Sequence, residues 1–264
     1  MSARGLRCAL LASALALGGC ASAPTTNTAA ATPGTPVAPR NPADPWEAWN
    51  RKVFAFNDAL DEAIVLPVTN AYRKAVPQLV RTGVDNFLGN LGDVWSTVNH
   101  LLQGKLQSGV EMGIRVVTNT VFGLGGLLDP ASEMRLPRRP QDFGLTLGHW
   151  GFGPGPYMVL PVFGPRTVRD TFGLALDRTF DAARLPRERA VSWSVLALEI
   201  VNTRSNLLAA TQLLQEAALD RYSFVRDAYL ARRLDAVYDG APPLAPLDDE
   251  PEAPAPASAP RSTS

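Results

Sequence analysis

The sequence predicts a mainly α-helical domain held between two flexible tails, with one glycine- and proline-rich segment inside it that folds as an ordered loop or short hairpin. Three features carry that reading. Of 23 prolines, six fall in 21–45 and seven in 241–264, in stretches that lack aromatics and repeat Ala, Thr and Ser. Such stretches cannot bury enough apolar surface to fold. Between them, apolar residues recur at steps of three and four, the spacing of one helix face. Residues 143–165 break that rhythm with 23 uncharged residues, six Gly and four Pro among them. That rules out a spanning helix despite the length.

The N-terminus reads as a signal segment, 1–19. Arg4 and Arg7 form a positive start, Cys8 to Leu17 an apolar core too short to span a bilayer as a helix, and Leu17-Gly18-Gly19-Cys20 a lipobox. Cys20 is then the lipid attachment site, carrying a covalent diacylglycerol and an N-acyl chain such as palmitate. More than one buried chain is what stable anchoring requires. The competing reading is an ordinary secretory signal with a chance Cys. Ala21, not Asp, follows Cys20, which points to the outer membrane. Removal of Cys8 leaves no disulfide partner. The expected organisation is an acylated tether over 20–43, a helical domain over 44–240 and a Pro/Ala-rich tail over 241–264.

Within the domain, Asp44-Pro45-Trp46-Glu47 reads as a helix start, with Asp44 accepting from free N–H groups and Glu47 closing a capping box. Trp46, Trp49, Val53, Phe56, Leu60 and Ile64 mark one face of that helix. Pro67 and Pro77 bracket a short piece, 68–76. Over 79–103, Asn86, Asn90, Asp93, Thr97 and His100 share a narrow polar strip, and apolar residues cover the remainder. A soluble surface helix has the opposite balance. Two readings stand: a core helix with satisfied polar groups, or a helix whose broad side faces lipid or protein and whose strip faces a watery passage. Residues 105–122 continue as helix, with Arg115 and Asn119 four apart. Gly123-Leu124-Gly125-Gly126 is a hinge or tight turn, because no strand precedes it and no Lys-Ser/Thr follows, as a phosphate loop requires. The aromatics of 143–165 fit a membrane interface or a packed loop equally well. A long helix covers 188–218. Asp220 caps a last one through about Val237, in which Arg226, Arg232 and Arg233 read as surface charges.

Nothing in the sequence supports an enzyme. His100 and His149 are the only histidines, and neither has a second His or a Cys at metal-ligand spacing. Nucleophile elbow and zincin motifs are missing. Asp61-Glu62 and Asp129/Glu133 read as solvated carboxylate pairs. No metal and no cofactor beyond the Cys20 lipid is expected. The formal charge is zero and becomes −2 once Arg4 and Arg7 are removed, which leaves no basic footprint for nucleic acid.

A set of motifs then occurs in a distinctive order. It comprises Asp44-Pro45-Trp46-Glu47-Ala48-Trp49-Asn50-Arg51, Phe54-Ala55-Phe56-Asn57, Val98-Asn99-His100-Leu101-Leu102-Gln103-Gly104, Asn119-Thr120 before the 123–127 glycine run, Asp142-Phe143-Gly144-Leu145-Thr146-Leu147-Gly148, Gly151-Phe152-Gly153-Pro154-Gly155-Pro156-Tyr157, Leu160-Pro161, Gly164-Pro165, Arg169-Asp170 and the run Leu219 to Leu230. Across 44–235 the chain resembles the MlaA (VacJ) family of outer-membrane phospholipid-transport lipoproteins. Arg221 stands where that family often has Pro, and Pro130 where an apolar residue is usual. The resemblance implies a ring-like bundle of amphipathic helices in the periplasmic leaflet of the outer membrane. It also implies a polar channel that draws phospholipids from the outer leaflet, a soluble periplasmic carrier of the MlaC type that receives them, and association with trimeric porins. The result is maintained lipid asymmetry. The polar strips nominate Asn86, Asn90, Thr97, Arg115 and Asn119 as channel lining, and Gly123, Gly125 and Gly126 as a hinge. Two other functions compete: a structural envelope lipoprotein that binds porins without moving lipid, and a lipid-modifying hydrolase.

Overall fold

The computed structural model describes residues 41–180 and 189–243. The signal segment, Cys20, nearly all of the tether and most of the C-terminal tail lie outside the described residues. The described residues fall in one compact unit.

Helix α1 (Glu47–Leu60) continues through one π-helical turn (Asp61–Val65) into α2 (Leu66–Ala75). The wide turn answers Pro67, which lacks an N–H and whose ring crowds the carbonyl four residues back. Leu66 N–H accordingly reaches back five residues to Asp61 O. Pro67 thus sits within a continuous rod, not at its start. Pro77 does end α2, by holding Val76 extended. Helices α3 (Gln78–Leu102) and α4 (Leu106–Phe122) form a helical hairpin, and a single turn, α5 (Pro130–Glu133), follows the glycine run. Next come α6 (Phe143–His149), the strands β1 (Tyr157–Leu160) and β2 (Gly164–Thr167), α7 (Val168–Phe180), α8 (Arg189–Ala217) and α9 (Arg221–Val237).

The uncharged segment 143–165 therefore opens as helix before it becomes an antiparallel hairpin. Asp142 caps α6 by accepting from Leu145 N–H at 2.8 Å. The glycines of α6 serve close approach: a Cβ on Gly173 of α7 would lie 2.7 Å from Gly144 Cα. Asp220 caps α9, accepting from Tyr222 N–H at 3.1 Å. Asp44 does not cap α1, which starts without a side-chain cap. It is buried, accepting from Asn50 Nδ2 at 2.8 Å and Tyr222 Oη at 2.5 Å and facing Arg226 at 3.4 Å. It ties the entry of α1 to α9.

The elements close a circuit. The α1–α2 rod meets α8, α8 meets α3, α3 meets α4 and α6, α6 meets α7 and α9, these two meet β2, and β1 returns to α1. The small apolar core (Val53, Tyr157, Val159 and Tyr222) lies where α1, the hairpin and α9 converge. There α1 completes the open edge of β1 with side chains. Asn50 Nδ2 donates to Tyr157 O at 3.1 Å while Val159 N–H donates to Asn50 Oδ1 at 2.9 Å. Two turns later Asn57 repeats the clamp on Leu160 O and Val162 N–H, at 3.0 and 2.8 Å. Backbone groups that would otherwise be a bare strand edge are thereby satisfied.

Candidate functional site

The distribution of polarity is inverted. Among the described residues, nine apolar side chains are buried against nineteen polar or charged ones, and 38 large apolar side chains are exposed. A water-soluble domain buries the first kind and exposes the second. On α4 Leu106, Val110, Ile114, Val117 and Val121 are exposed along a continuous outward stripe. On α3, Phe87, Val94, Val98 and Leu102 face out while Asn90, Asp93, Asn99 and His100 face in. Among the described residues no helix is long and apolar enough to cross a membrane.

Of the five nominated lining residues, four converge. Asn86, Asn90, Arg115 and Asn119, with Asp93, Asp129 and Arg138, surround a 30 Å³ cavity between α3, α4 and the segment that follows. The hydrogen bonds there largely satisfy one another. Arg115 donates to Asp129 at 2.5 Å, Ser132 Oγ at 3.0 Å and Leu136 O at 2.8 Å, and lies 3.5 Å from Asp93. Asn119 donates to Asp129 at 2.9 Å and accepts from Ala131 N–H at 3.0 Å. Asn90 donates to Thr120 Oγ1, and Arg138 holds Asp93 at 2.8 Å. Burial opposes ionisation of Asp129, but Ser132, Asn119 and Arg115 outweigh it and hold its carboxyl below the usual range. Thr97 turns its hydroxyl back to Asp93 O at 2.8 Å. Asp129 is thus the anchor of a packed network, not a solvated carboxylate.

The nominated glycines form a tight turn from α4 into α5. Gly125 and Gly126 have φ of +75° and +97°, a region that favours glycine. At Gly123 a Cβ would collide with the backbone oxygens of Asn119 and Leu128.

Of the larger cavities elsewhere, two share lining residues between elements of the circuit. The first, 480 Å³, is walled by α1, the π-turn, the hairpin tip and α8, with Ile64, Val65, Phe163, Leu196, Ile200 and Leu207 supplying apolar surface. The second, 300 Å³, lies between α3, α7, α8 and the 138–142 segment. None of the five nominated lining residues borders either one. Arg166, Arg178 and Glu199 border both. Arg178 lies 3.7 Å from Glu199 and 5.1 Å from the centre of the Phe163 ring. Asp61, expected in solvent, is gripped on the cavity wall by Arg204, whose Nε and Nη2 both stand 2.8 Å from its oxygens. Asp177 accepts from Trp95 Nε1 at 2.7 Å and Phe143 N–H at 2.9 Å, and burial pushes its carboxyl above the usual range. Sequence reasoning missed this junction, although Arg166 is the first charge after 23 uncharged residues.

The arginines of α9 are likewise not all surface charges. Arg233 bridges Asp142 of the α6 cap, at 2.5 and 2.9 Å, and Asp170 of α7, at 2.8 Å. Tyr229 Oη donates to Asp170 at 2.7 Å. Burial would raise the Asp170 carboxyl, but Arg233, Tyr229 and Arg169 hold it below the usual range. Arg226 is buried against Asp44, and only Arg232 of the three is exposed. His100 is buried, its Nε2 3.0 Å from Arg139 O, and burial lowers its pKa. Among the described residues no cluster of three His, Cys, Asp or Glu could hold a metal ion.

The chain is similar to known proteins. The chain is 38% identical over 233 residues to the intermembrane phospholipid transport system lipoprotein MlaA of Escherichia coli (strain K12), spanning 83% of this chain and 86% of that protein. The protein of the same name in Haemophilus influenzae is 32% identical over 202 residues, 74% of this chain and 79% of its own. A solved structure described as "Structural basis for maintenance of bacterial outer membrane lipid asymmetry" superposes with a TM-score of 0.66 at 38% identity, covering 74% of this chain and 98% of that one. The family model described as MlaA lipoprotein matches residues 42–236, and with these relatives it places the chain in the MlaA lipoprotein family.

Proposed function

We propose that this protein is the outer-membrane lipoprotein of an intermembrane phospholipid transport system. It takes phospholipids from the outer leaflet and passes them to a soluble periplasmic carrier of the MlaC type, so maintaining lipid asymmetry. The domain lies in the periplasmic leaflet beside trimeric porins, moored through acylated Cys20. The observation that carries the reading is the inverted polarity: an apolar exterior around cavities with charged walls. A charged headgroup is costly to drag through hydrocarbon, and a polar-walled passage lowers that cost while the chains stay in apolar surroundings. The passage runs through the 480 and 300 Å³ cavities, and the Asn86–Asn90–Arg115–Asn119 network braces its wall from behind.

The test is to delete the gene and measure outer-leaflet phospholipid and detergent sensitivity, then to follow labelled phospholipid from the purified protein to the carrier. Loss of asymmetry and direct transfer are expected. Unchanged asymmetry refutes the proposal. A protein that binds porin but never releases lipid is the structural lipoprotein instead, and turnover of the label by the pure chain makes it a hydrolase.

A further inference from the structure

Among the described residues, Arg166 is the one guanidinium on the walls of these two cavities without a protein partner. Among the described residues it makes no hydrogen bond or ion pair, and its Nε is buried without an acceptor. The other arginines there are engaged: Arg204 with Asp61, Arg138 with Asp93, and Arg178 with Glu199. Of the carboxylates, Asp142 is held by Arg233, and Asp177 by two neutral donors. Arginine does not shed its proton in proteins, so burial cannot neutralise it. A half-buried guanidinium with unused donors calls for an anion.

The hairpin aims this charge. Arg166 pairs with Met158 across the ladder, while the neighbouring pair Tyr157 and Thr167 is buried on the other face. Alternation along the strand thus turns Arg166 away from the core and onto both cavities. Arg178 stands at the same junction, its partner Glu199 at the long end of ion-pair range. The adjoining 480 Å³ space is mostly apolar-walled and within the size range of small-molecule sites.

Resting on the transport reading, we propose that Arg166, with Arg178, is a way station that binds the phosphodiester of a phospholipid headgroup while an acyl chain occupies the apolar cavity. The guanidinium fork suits two phosphate oxygens, and Glu199 competes with the phosphate for Arg178.

The experiment incubates the purified full-length protein in detergent with equal amounts of isotopically labelled phosphatidylglycerol and the diacylglycerol of identical chains. The protein is repurified and the retained lipids are counted by mass spectrometry. The wild type should prefer the phospholipid. Arg166→Leu should lower that preference by about tenfold or more, as loss of a charge-assisted pair implies, and leave diacylglycerol retention unchanged. Arg166→Lys should recover part of it. Glu199→Gln should raise phospholipid retention, an outcome misfolding cannot mimic. An unchanged preference in Arg166→Leu, or equal loss of both lipids, overturns the way station and leaves transport intact. A wild type that retains neither lipid defeats the transport reading itself. If excess inorganic phosphate abolishes the preference while the chains stay bound, the occupant is free phosphate and the headgroup assignment falls.

Discussion

Arg115→Leu separates a channel-lining role from a bracing one. If Arg115 faced a watery passage, Leu would slow transfer and leave stability nearly unchanged. The structure requires the reverse. The Arg115 side chain is 3% exposed and lies between Asp129 and Asp93, the latter 1% exposed. Leu would strip Asp129 of its cation, orphan Leu136 O and leave Asp93 to Arg138 alone. Removing one partner from a buried ion pair costs about 3–5 kcal/mol, because the remaining charge stays buried. In a domain of this size each kcal/mol moves the melting temperature by roughly 2–4 °C, so the midpoint should fall by about 6–20 °C. Thermal unfolding of the full chain in detergent, followed by far-UV circular dichroism, measures this directly. Pairing Arg115→Leu with Asp129→Leu should recover part of the loss, since the double variant buries no orphaned charge at that contact. A single variant that melts within about 2 °C of wild type yet fails to transfer lipid would refute the bracing role and restore Arg115 to the lining.

Three other expectations can be checked alongside. Asn50→Leu leaves Tyr157 O and Val159 N–H unpaired beside a fully buried site. At about 1–3 kcal/mol per orphaned group it should destabilise by about 2–6 kcal/mol, and equal midpoints would contradict the clamp. In acid, the stability contributed by Asp129 and Asp170, both depressed, is complete above about pH 4 and is lost as pH falls through their folded values. His100, lowered by burial, adds a loss from about pH 6.5 downward, whereas Asp58 and Asp177, raised by burial, run the other way. Melting points from pH 8 to 3 should therefore fall most steeply at the acid end, and an Asp170→Asn variant with an equally steep limb would exclude that carboxylate as a cause. A Cys20→Ser form should mislocalise while its domain still associates with membranes; a fully soluble monomeric domain would reduce the apolar exterior to an ordinary surface.

The helices were legible because periodicity reports which residues share a face. It does not report what that face meets. The strip Asn86, Asn90, Asp93, Thr97 and His100 has one pattern whether it lines water or pairs with neighbours, and its partners Thr120, Leu127, Arg138 and Arg139 lie 30 to 45 residues away in sequence. The same blindness made Asp44 look like a helix cap, when its real partners, Tyr222 and Arg226, sit at the other end of the domain. It hid α6, whose glycines signal a loop until α7 is seen pressing against them. Arg166 drew no attention because its meaning lies in lacking a partner among the described residues, and sequence patterns do not record an absence. The broad apolar faces were readable, since an excess of apolar circumference needs no knowledge of neighbours.

If the domain sits in lipid as proposed, the buried polar networks and the apolar exterior are two consequences of one constraint. In lipid, apolar side chains gain little by facing one another, because the tails are as apolar as leucine. Helices there need contacts that lipid cannot imitate: hydrogen bonds, ion pairs and close approach at small residues. The chain uses each of them where elements meet. Asn50 and Asn57 hold the hairpin, Arg233 joins α6, α7 and α9, Arg115 joins α4 to α5, and Gly144 packs on Gly173. A polar interior assembled for cohesion also leaves a polar-walled space when the elements close into a circuit. Nearly every charge bordering that space is spoken for by a bond between elements. Among the described residues Arg166 is the exception, joining no two elements together, and that is the ground for assigning it a ligand.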